Sequence, residues 1–257
     1  MLTVLLPNYK TPELTKLCLR SLRKNSDFSR LRILAVDNAS GDESVRYLRS
    51  LPWIELIERD PAEVEKLPPP EMHSTALDLA LRQVDTEFVL SLHTDTILLN
   101  PGWLDYLMKK IGRSEKVAGV GSWKLERASP WKQAFKQAED GLRKLFGRGR
   151  EEFRFLRSHC ALYRTELLRK HTRGFGDGEC AGSSIHKCLL AAGYELDFLP
   201  VGELSRYMVH LNHATLILNP EVCPARRTGT PKAFRMLRRK MDTDLFADIL
   251  RDDSLDR

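Results

Sequence analysis

Three short polar clusters stand where apolar runs stop: Pro7-Asn8-Tyr9 after "LTVLL", Asp37-Asn38 after "LRILAV", and His93-Thr94-Asp95 after "FVLSL". None of these polar groups gains by entering a core, so each marks a place where a turn or a ligand takes over. Residues two apart on an extended chain point the same way, and His93 and Asp95 are therefore expected to reach one cation or one diphosphate together. A carboxylate such as Asp37 can accept the imide N–H of a pyrimidine, and a ring such as Tyr9 can stack on or hydrogen-bond to a nucleoside. One such cluster is an ordinary turn. Three within one half of a chain point to a bound nucleotide.

Two other spacings carry less. His210 and His213 lie three apart in "VHLNHAT"; on a strand they face opposite ways, which argues against a shared zinc site and leaves hydrogen-bonded core histidines as the plain reading. His159-Cys160 invites a thiol nucleophile, but adjacent strand residues point apart and no partnered acid is identifiable.

The elements that must position these groups alternate. "LTVLLP" reads as a strand, and Thr11-Pro12-Glu13 supplies a capping residue, a first-turn proline and an early acid for a helix reaching Lys24. "LRILAVDN" is a second strand, with Ser40 or Asp42 capping a helix that carries Val45, Leu48 and Leu51, and "WIELIER" is a third. Asp60–Glu71, with four prolines, reads as an irregular loop before a helix over Met72–Val84. Glu87–Thr94 is the next strand, followed by a helix over Gly102–Ile111 and a strand at Val117–Ser122. Strand and helix in alternation, with near-continuous apolar strands, predict an α/β fold with a mostly parallel central sheet and helices on both faces.

Beyond Ser122 the pattern weakens. Trp123–Arg150 is basic and predicted helical in part, and Phe153–Arg164 reads as a strand leading to a short helix. Gly174–Ser184 is a glycine-rich loop before a helix over Ile185–Ala192 that Gly193 ends. "YELDFLP" and "RYMVHLNHAT" are later strands, Pro220–Thr230 a loop, and the basic tail after it one amphipathic helix. Packing on its own domain is the first expectation for that helix, with a partner or a membrane surface as the alternatives.

Composition sets the bounds. With 257 residues, 42% hydrophobic, the chain can bury a sizeable core. No stretch approaches the roughly 20 apolar residues of a membrane span, and the N-terminal pattern is not that of a signal peptide, so a cytoplasmic protein is expected. Five widely spaced cysteines without a CxxC pair read as reduced thiols. The net charge of +6, dense in 123–157 and 226–240, suits phosphate-bearing ligands or an anionic membrane surface; nucleic acid is not an expected partner.

Taken in order, "TVLLPNYKTPELTKLCLRSL", "ILAVDNASGDES" and "TEFVLSLHTDTILLNPGWLDYL" resemble the nucleotide-binding half of family 2 glycosyltransferases, GT-A fold enzymes that use nucleotide-activated sugars. The resemblance implies a GT-A domain over 1–220, with a nucleotide-binding half (1–122) and an acceptor-side half (123–220), and a basic amphipathic tail over 221–257. It implies that Pro7, Tyr9 and Asp37 line the nucleoside pocket. It also implies that His93-Thr94-Asp95 occupies the place of the family's Asp-x-Asp motif, which meets the donor diphosphate through a divalent cation, Mn2+ or Mg2+. His93 departs from that motif, and imidazole is a poorer ligand for Mg2+ than for Mn2+ and later metals. Many such enzymes add a late histidine to the same ion, so His213 or His210 is expected to complete a site begun by Asp95 and His93.

In the second half "FLRSHCALYRTELL" resembles the segment under the family's acceptor site, whereas the Glu-Asp pair expected before Gly193-Tyr194 is missing. A base is needed to take the acceptor proton, and the resemblance makes Glu179 the first nominee and Asp177 the second. The implied activity is inverting transfer of a sugar to a glycan or a lipid-linked acceptor, with the tail touching the inner face of a membrane in the second case. Two other classes stay open: a nucleotide-sugar or polyanion binder with a degenerate site, and a nucleotidyltransferase. Against the latter stands Asn8-Tyr9-Lys10-Thr11 where a glycine-rich phosphate loop belongs.

Overall fold

The computed structural model describes residues 1–123, 125, 153–176, 180–222 and 229–257. Nine strands follow in chain order: β1 (Leu2–Asn8), β2 (Leu31–Asp37), β3 (Glu55–Glu58), β4 (Phe88–Leu92), β5 (Thr96–Leu98), β6 (Val117–Gly121), β7 (Cys160–Arg164), β8 (Glu195–Phe198) and β9 (Met208–His210). Seven form one sheet in the order β3-β2-β1-β4-β7-β6-β8, and β5 and β9 form a separate antiparallel ribbon. Within the large sheet only β7 runs against its neighbours.

The apolar runs are continuous because the sheet is covered on both faces. Leu2, Val4 and Leu6 of β1 pack into one core cluster with Ile33, Ala35, Leu90 and Leu92, while Leu5, Leu34, Val36 and Val89 pack into the other. Alternate residues thus serve opposite layers, as the two-residue period of a strand requires. The first layer includes α1 (Pro12–Lys24) and α5 (Trp103–Ile111), and the second includes α4 (Pro69–Leu81) with the helices Thr165–His171 and Ser183–Ala191. Since β2 and β3 lie on one side of β1 and β4 on the other, the strand order reverses between β1 and β4. The carboxyl ends of those two strands flank the crevice where open α/β sheets bind ligands.

Local signals explain most boundaries. Asp42 caps α2 (Glu43–Ser50) by accepting from the Ser44 amide at 2.9 Å. Gly193 adopts a φ of +86° just past its helix, the left-handed ending glycine permits. Pro12 opens α1, but Thr11 makes no side-chain cap and instead lies 3.4 Å from the Thr94 hydroxyl. The proline-rich stretch is a correction: it is not a loop, because Pro61 opens a short helix α3 (Pro61–Val64) and Pro69 and Pro70 open α4. Proline gives up no hydrogen bond in a first turn.

The tail also differs from expectation. It is two helices, Pro231–Met241 and Asp244–Arg251, parted at Asp242-Thr243, where Thr243 caps the second. Their Leu237, Met241, Phe246 and Ile249 join the core cluster of β1, so the segment packs at home. Arg20 of α1, fully buried, reaches Asp253 and Asp256 beyond the last helix, its Nε donating to Asp256 at 2.9 Å. The basic stretch predicted helical after Trp123 lies, but for Leu125, outside the described residues up to Phe153.

Candidate active site

Leu92 ends β4, and His93 and Thr94 turn the chain into β5, with the Thr96 amide donating to the His93 carbonyl at 3.0 Å. The turn achieves what an extended chain was expected to do. Nδ1 of His93 lies 3.7 Å from Oδ1 of Asp95. Ribbon pairing continues past β9 through the Leu211 amide, which donates to the Asp95 carbonyl at 2.8 Å, and His210 Nε2 thereby comes to 3.0 Å from the same Oδ1. One ligand atom each from His93, Asp95 and His210 fits within 4.8 Å.

His213, the expected late ligand, lies outside this group, and His210 stands in it instead. The chain leaves the strand after His210, and Asn212 and His213 take left-handed φ values of +39° and +57°. That bend leaves the His213 side chain exposed and brings the following Ala214 amide to 3.3 Å from Oδ2 of Asp95.

Asp95 is 4% exposed, and its Oδ1 accepts no hydrogen bond of good geometry among the described residues. Burial, the largest influence, pushes this carboxyl up, but the charge and close contact of His210, with His93 and His159, outweigh it and hold Asp95 well below the usual carboxylate range. Burial drives His73 down to about 4 and His159 down to about 3, and, with His73 beside it, holds His93 well below the ordinary imidazole value. Asp95 is thus favoured in its ionised form, while burial disfavours the protonated forms of His73, His93 and His159 around it. A buried carboxylate beside the ring nitrogens of His93 and His210 can serve as a donor set for a divalent cation, and its nitrogen content suits Mn2+ and later ions better than Mg2+. His93 keeps 30% of its side-chain surface exposed, so the group opens to solvent on that side.

At the other half of the crevice Asn8 and Asp37 face each other across β1 and β2. Oδ1 of Asp37 accepts from Asn8 Nδ2 and from the Ser40 hydroxyl, both at 2.6 Å, and Oδ2 accepts from the Ser40 amide at 2.9 Å. Asn8 also donates to Ser44 at 2.9 Å, and Arg59 donates to Asn38 at 2.9 Å. Asp37 therefore shapes its own turn, with acceptor capacity left on Oδ2. Pro7 is buried in β1, Tyr9 is half-buried with the Lys10 ammonium 5.3 Å from its ring, and Thr94 is buried.

Two further histidines join the group: His73, which carries no signal in the sequence, and His159, which the sequence marks only beside Cys160 as part of a thiol-nucleophile reading. His73 is a lone histidine on α4, and its Nε2 lies 3.2 Å from Nε2 of His93. His159 precedes β7, whose antiparallel pairing sets Cys160 opposite Leu92 and brings residue 159 to the same edge as residue 93. Its ring stacks on His210 at 4.4 Å, and its Nε2 lies 2.8 Å from the Ser122 hydroxyl. Burial pushes the neighbouring Cys160 thiol up to about 12, which removes it as a nucleophile. Glu179 and Asp177 lie outside the described residues.

A mostly parallel seven-stranded sheet covered by helices on both faces, with polar side chains gathered at the carboxyl ends of its central strands, is the GT-A type of architecture. The model of the glycosyl transferase family 2 domain matches residues 3–172, and the chain belongs to that family. Among solved structures it is similar to the mannosyltransferase PcManGT of Pyrobaculum calidifontis in complex with GDP-Man and Mn2+, at 17% identity and a TM-score of 0.59, covering 99% of this chain and 84% of that one. It is also similar to a fragment of S. aureus TarS in complex with UDP-GlcNAc, at 17% identity and a TM-score of 0.55, covering 81% of this chain and 57% of that one. No curated protein matches the chain.

Proposed function

We propose that this glycosyltransferase moves a sugar from a nucleoside-diphosphate donor to a glycan or lipid-linked acceptor, with inversion and with dependence on a divalent cation, Mn2+ or Mg2+. One observation carries the reading: Oδ1 of the buried Asp95 lies 3.0 Å from one imidazole nitrogen and 3.7 Å from another, at the carboxyl edge of the sheet. The GDP-Man and Mn2+ held by the similar mannosyltransferase support it.

In this reading Tyr9 stacks on the base, Pro7 floors the pocket, and the free acceptor capacity of Asp37 takes a base N–H. Asp95, His93 and His210 hold the cation, and Thr94 faces the diphosphate. When bound, the cation neutralises charge on the departing nucleotide. The protein's share of the rate is positioning, so that the acceptor oxygen meets the anomeric carbon opposite the leaving diphosphate. Glu179, or Asp177 in its place, takes the acceptor proton as that bond forms.

A lipid-linked acceptor is favoured by the helix Pro231–Met241, which exposes Phe234 and Met236 among basic residues. Among the described residues no helix is long and apolar enough to cross a membrane, so such contact would be peripheral.

The test is binding of a panel of nucleoside diphosphates with and without Mn2+, followed by sugar transfer. Binding indifferent both to metal and to Asp95→Ala would sink the cation-dependent reading. Donor binding with neither transfer nor donor hydrolysis, over a broad acceptor panel, would instead favour a binding protein, the alternative that His93 in place of an aspartate keeps open.

A further inference from the structure

Both ring nitrogens of His93 have polar neighbours, but only Nε2 has them within hydrogen-bond distance. On one side Nδ1 faces Asp95; on the other, Nε2 lies 3.2 Å from His73 Nε2 and 3.0 Å from the Ser158 hydroxyl, which itself lies 3.1 Å from His73 Nε2. The His73 and His93 rings meet edge to face at 4.6 Å. A histidine that gives Nδ1 to a metal must carry its one N–H on Nε2, and there the Ser158 hydroxyl at 3.0 Å and His73 Nε2 at 3.2 Å stand ready to accept it, whereas at 3.7 Å an Nδ1–H would be too far from Asp95 to bond. The Nδ1 lone pair then faces Oδ1 of Asp95 at 3.7 Å, the same oxygen that lies 3.0 Å from His210 Nε2. Two acceptors facing one another across that gap repel, unless a cation stands between them.

We propose that His73 and Ser158 are positioning residues that hold His93 with Nδ1 toward Asp95, and that the resulting imidazole–carboxylate–imidazole set selects a late first-row ion such as Co2+ or Zn2+ over Mg2+ and binds it before any nucleotide arrives. This rests on the cation-dependent reading of the same site. A metal-bound histidine is oriented by the hydrogen bond of its other nitrogen, and loss of such a partner commonly costs 10- to 100-fold in metal affinity. The preference follows from the donors: hard Mg2+ favours oxygen and water, whereas imidazole suits the later ions.

Metal-stripped full-length protein, without nucleotide, is titrated with Co2+, Zn2+ and Mg2+, reading calorimetric affinity and the visible absorption of bound Co2+. The expected result is one Co2+ per chain, displaced by Zn2+ and not by comparable Mg2+. Ser158→Ala and His73→Leu should each weaken Co2+ binding about 10- to 100-fold, with His73→Gln restoring part of it, and His93→Asp should shift the preference toward Mg2+. Circular dichroism checks that each variant folds; if His73→Leu does not, Ser158→Ala decides. Absence of nucleotide-free binding, Mg2+ competing as well as Zn2+, or Co2+ affinity within about twofold of wild type in the folded brace variants would overturn the proposal. Should Asp95→Ala still abolish cation-dependent donor binding in that event, the transferase reading stands without it. Conversely, the expected metal binding alongside donor binding indifferent to Asp95 overturns the function reading and keeps the metal site.

Discussion

At the scale of single residues the site turns on one oxygen atom, and its neighbours can be ranked. Asp95→Ala removes the one carboxylate of the proposed cation site and is expected to lower cation-dependent donor affinity at least ~100-fold, read by calorimetry with and without Mn2+. His210→Ala should weaken the metal about 10- to 100-fold, whereas His213→Ala, on the exposed turn, should leave it within about twofold in the same titration. Asn8→Ala removes a donor from a buried carboxylate and should cost about 1–3 kcal/mol in urea unfolding, with weaker nucleotide binding because the Asp37 turn loosens. Asp95 and His93 were legible in the sequence because a polar cluster ended an apolar strand. The choice between His210 and His213 was not, since three-residue spacing says nothing of where a strand bends into left-handed backbone. His73 carries no signal in the sequence and His159 only the one beside Cys160, because only the tertiary fold brings them to this edge.

Elements show the same division between local and long-range causes. The strands and most helix starts follow from apolar periodicity and capping residues that act within a few positions, but prolines read as a loop signal were first-turn residues of α3 and α4. The buried charge on α1 likewise finds its partners more than 230 residues away. Asp256→Ala strips Arg20 of its main partner and should destabilise the chain by about 3 kcal/mol, measured by urea unfolding, because a buried guanidinium is left short of acceptors. The helix Ser183–Ala191 buries His186 against Phe153 and Phe198, and burial pushes that imidazole down to about 4. The sign follows: between about 4 and the ordinary 6.5 the unfolded chain binds the proton and the folded one does not, so stability falls as pH drops through that window. From pH 7 to pH 5 the loss from His186 should be about 2 kcal/mol. Urea unfolding of wild type and His186→Leu at both pH values checks it, the variant showing the smaller drop.

For the molecule as a whole, two-sided burial and the reversal of strand order between β1 and β4 set where the donor can sit, and both follow from sequence that alternates strand and helix over its first half. The tail is where whole-molecule placement adds most. On the helix Pro231–Met241, Leu237 and Met241 face the core, which turns Lys232, Arg235, Met236, Arg239 and Lys240 to the opposite side at three- and four-residue spacing. Arg238 is held by Glu13 at 2.6 Å and lies over the Phe234 ring, but those four other cations lie on the exposed face beside Met236. Each basic side chain near an anionic lipid surface contributes about 1 kcal/mol, so the face should deliver about 4 kcal/mol in low salt before any apolar insertion. The expectation is cosedimentation with vesicles containing phosphatidylglycerol and not with pure phosphatidylcholine, weakening steeply as salt rises. Arg235→Glu with Lys240→Glu should lower that binding at least tenfold while leaving nucleotide binding unchanged, because both residues lie on the tail helix and outside the donor crevice. Equal binding to neutral vesicles, or no binding to anionic ones at low salt, would remove the case for a lipid-linked acceptor that rests on this helix.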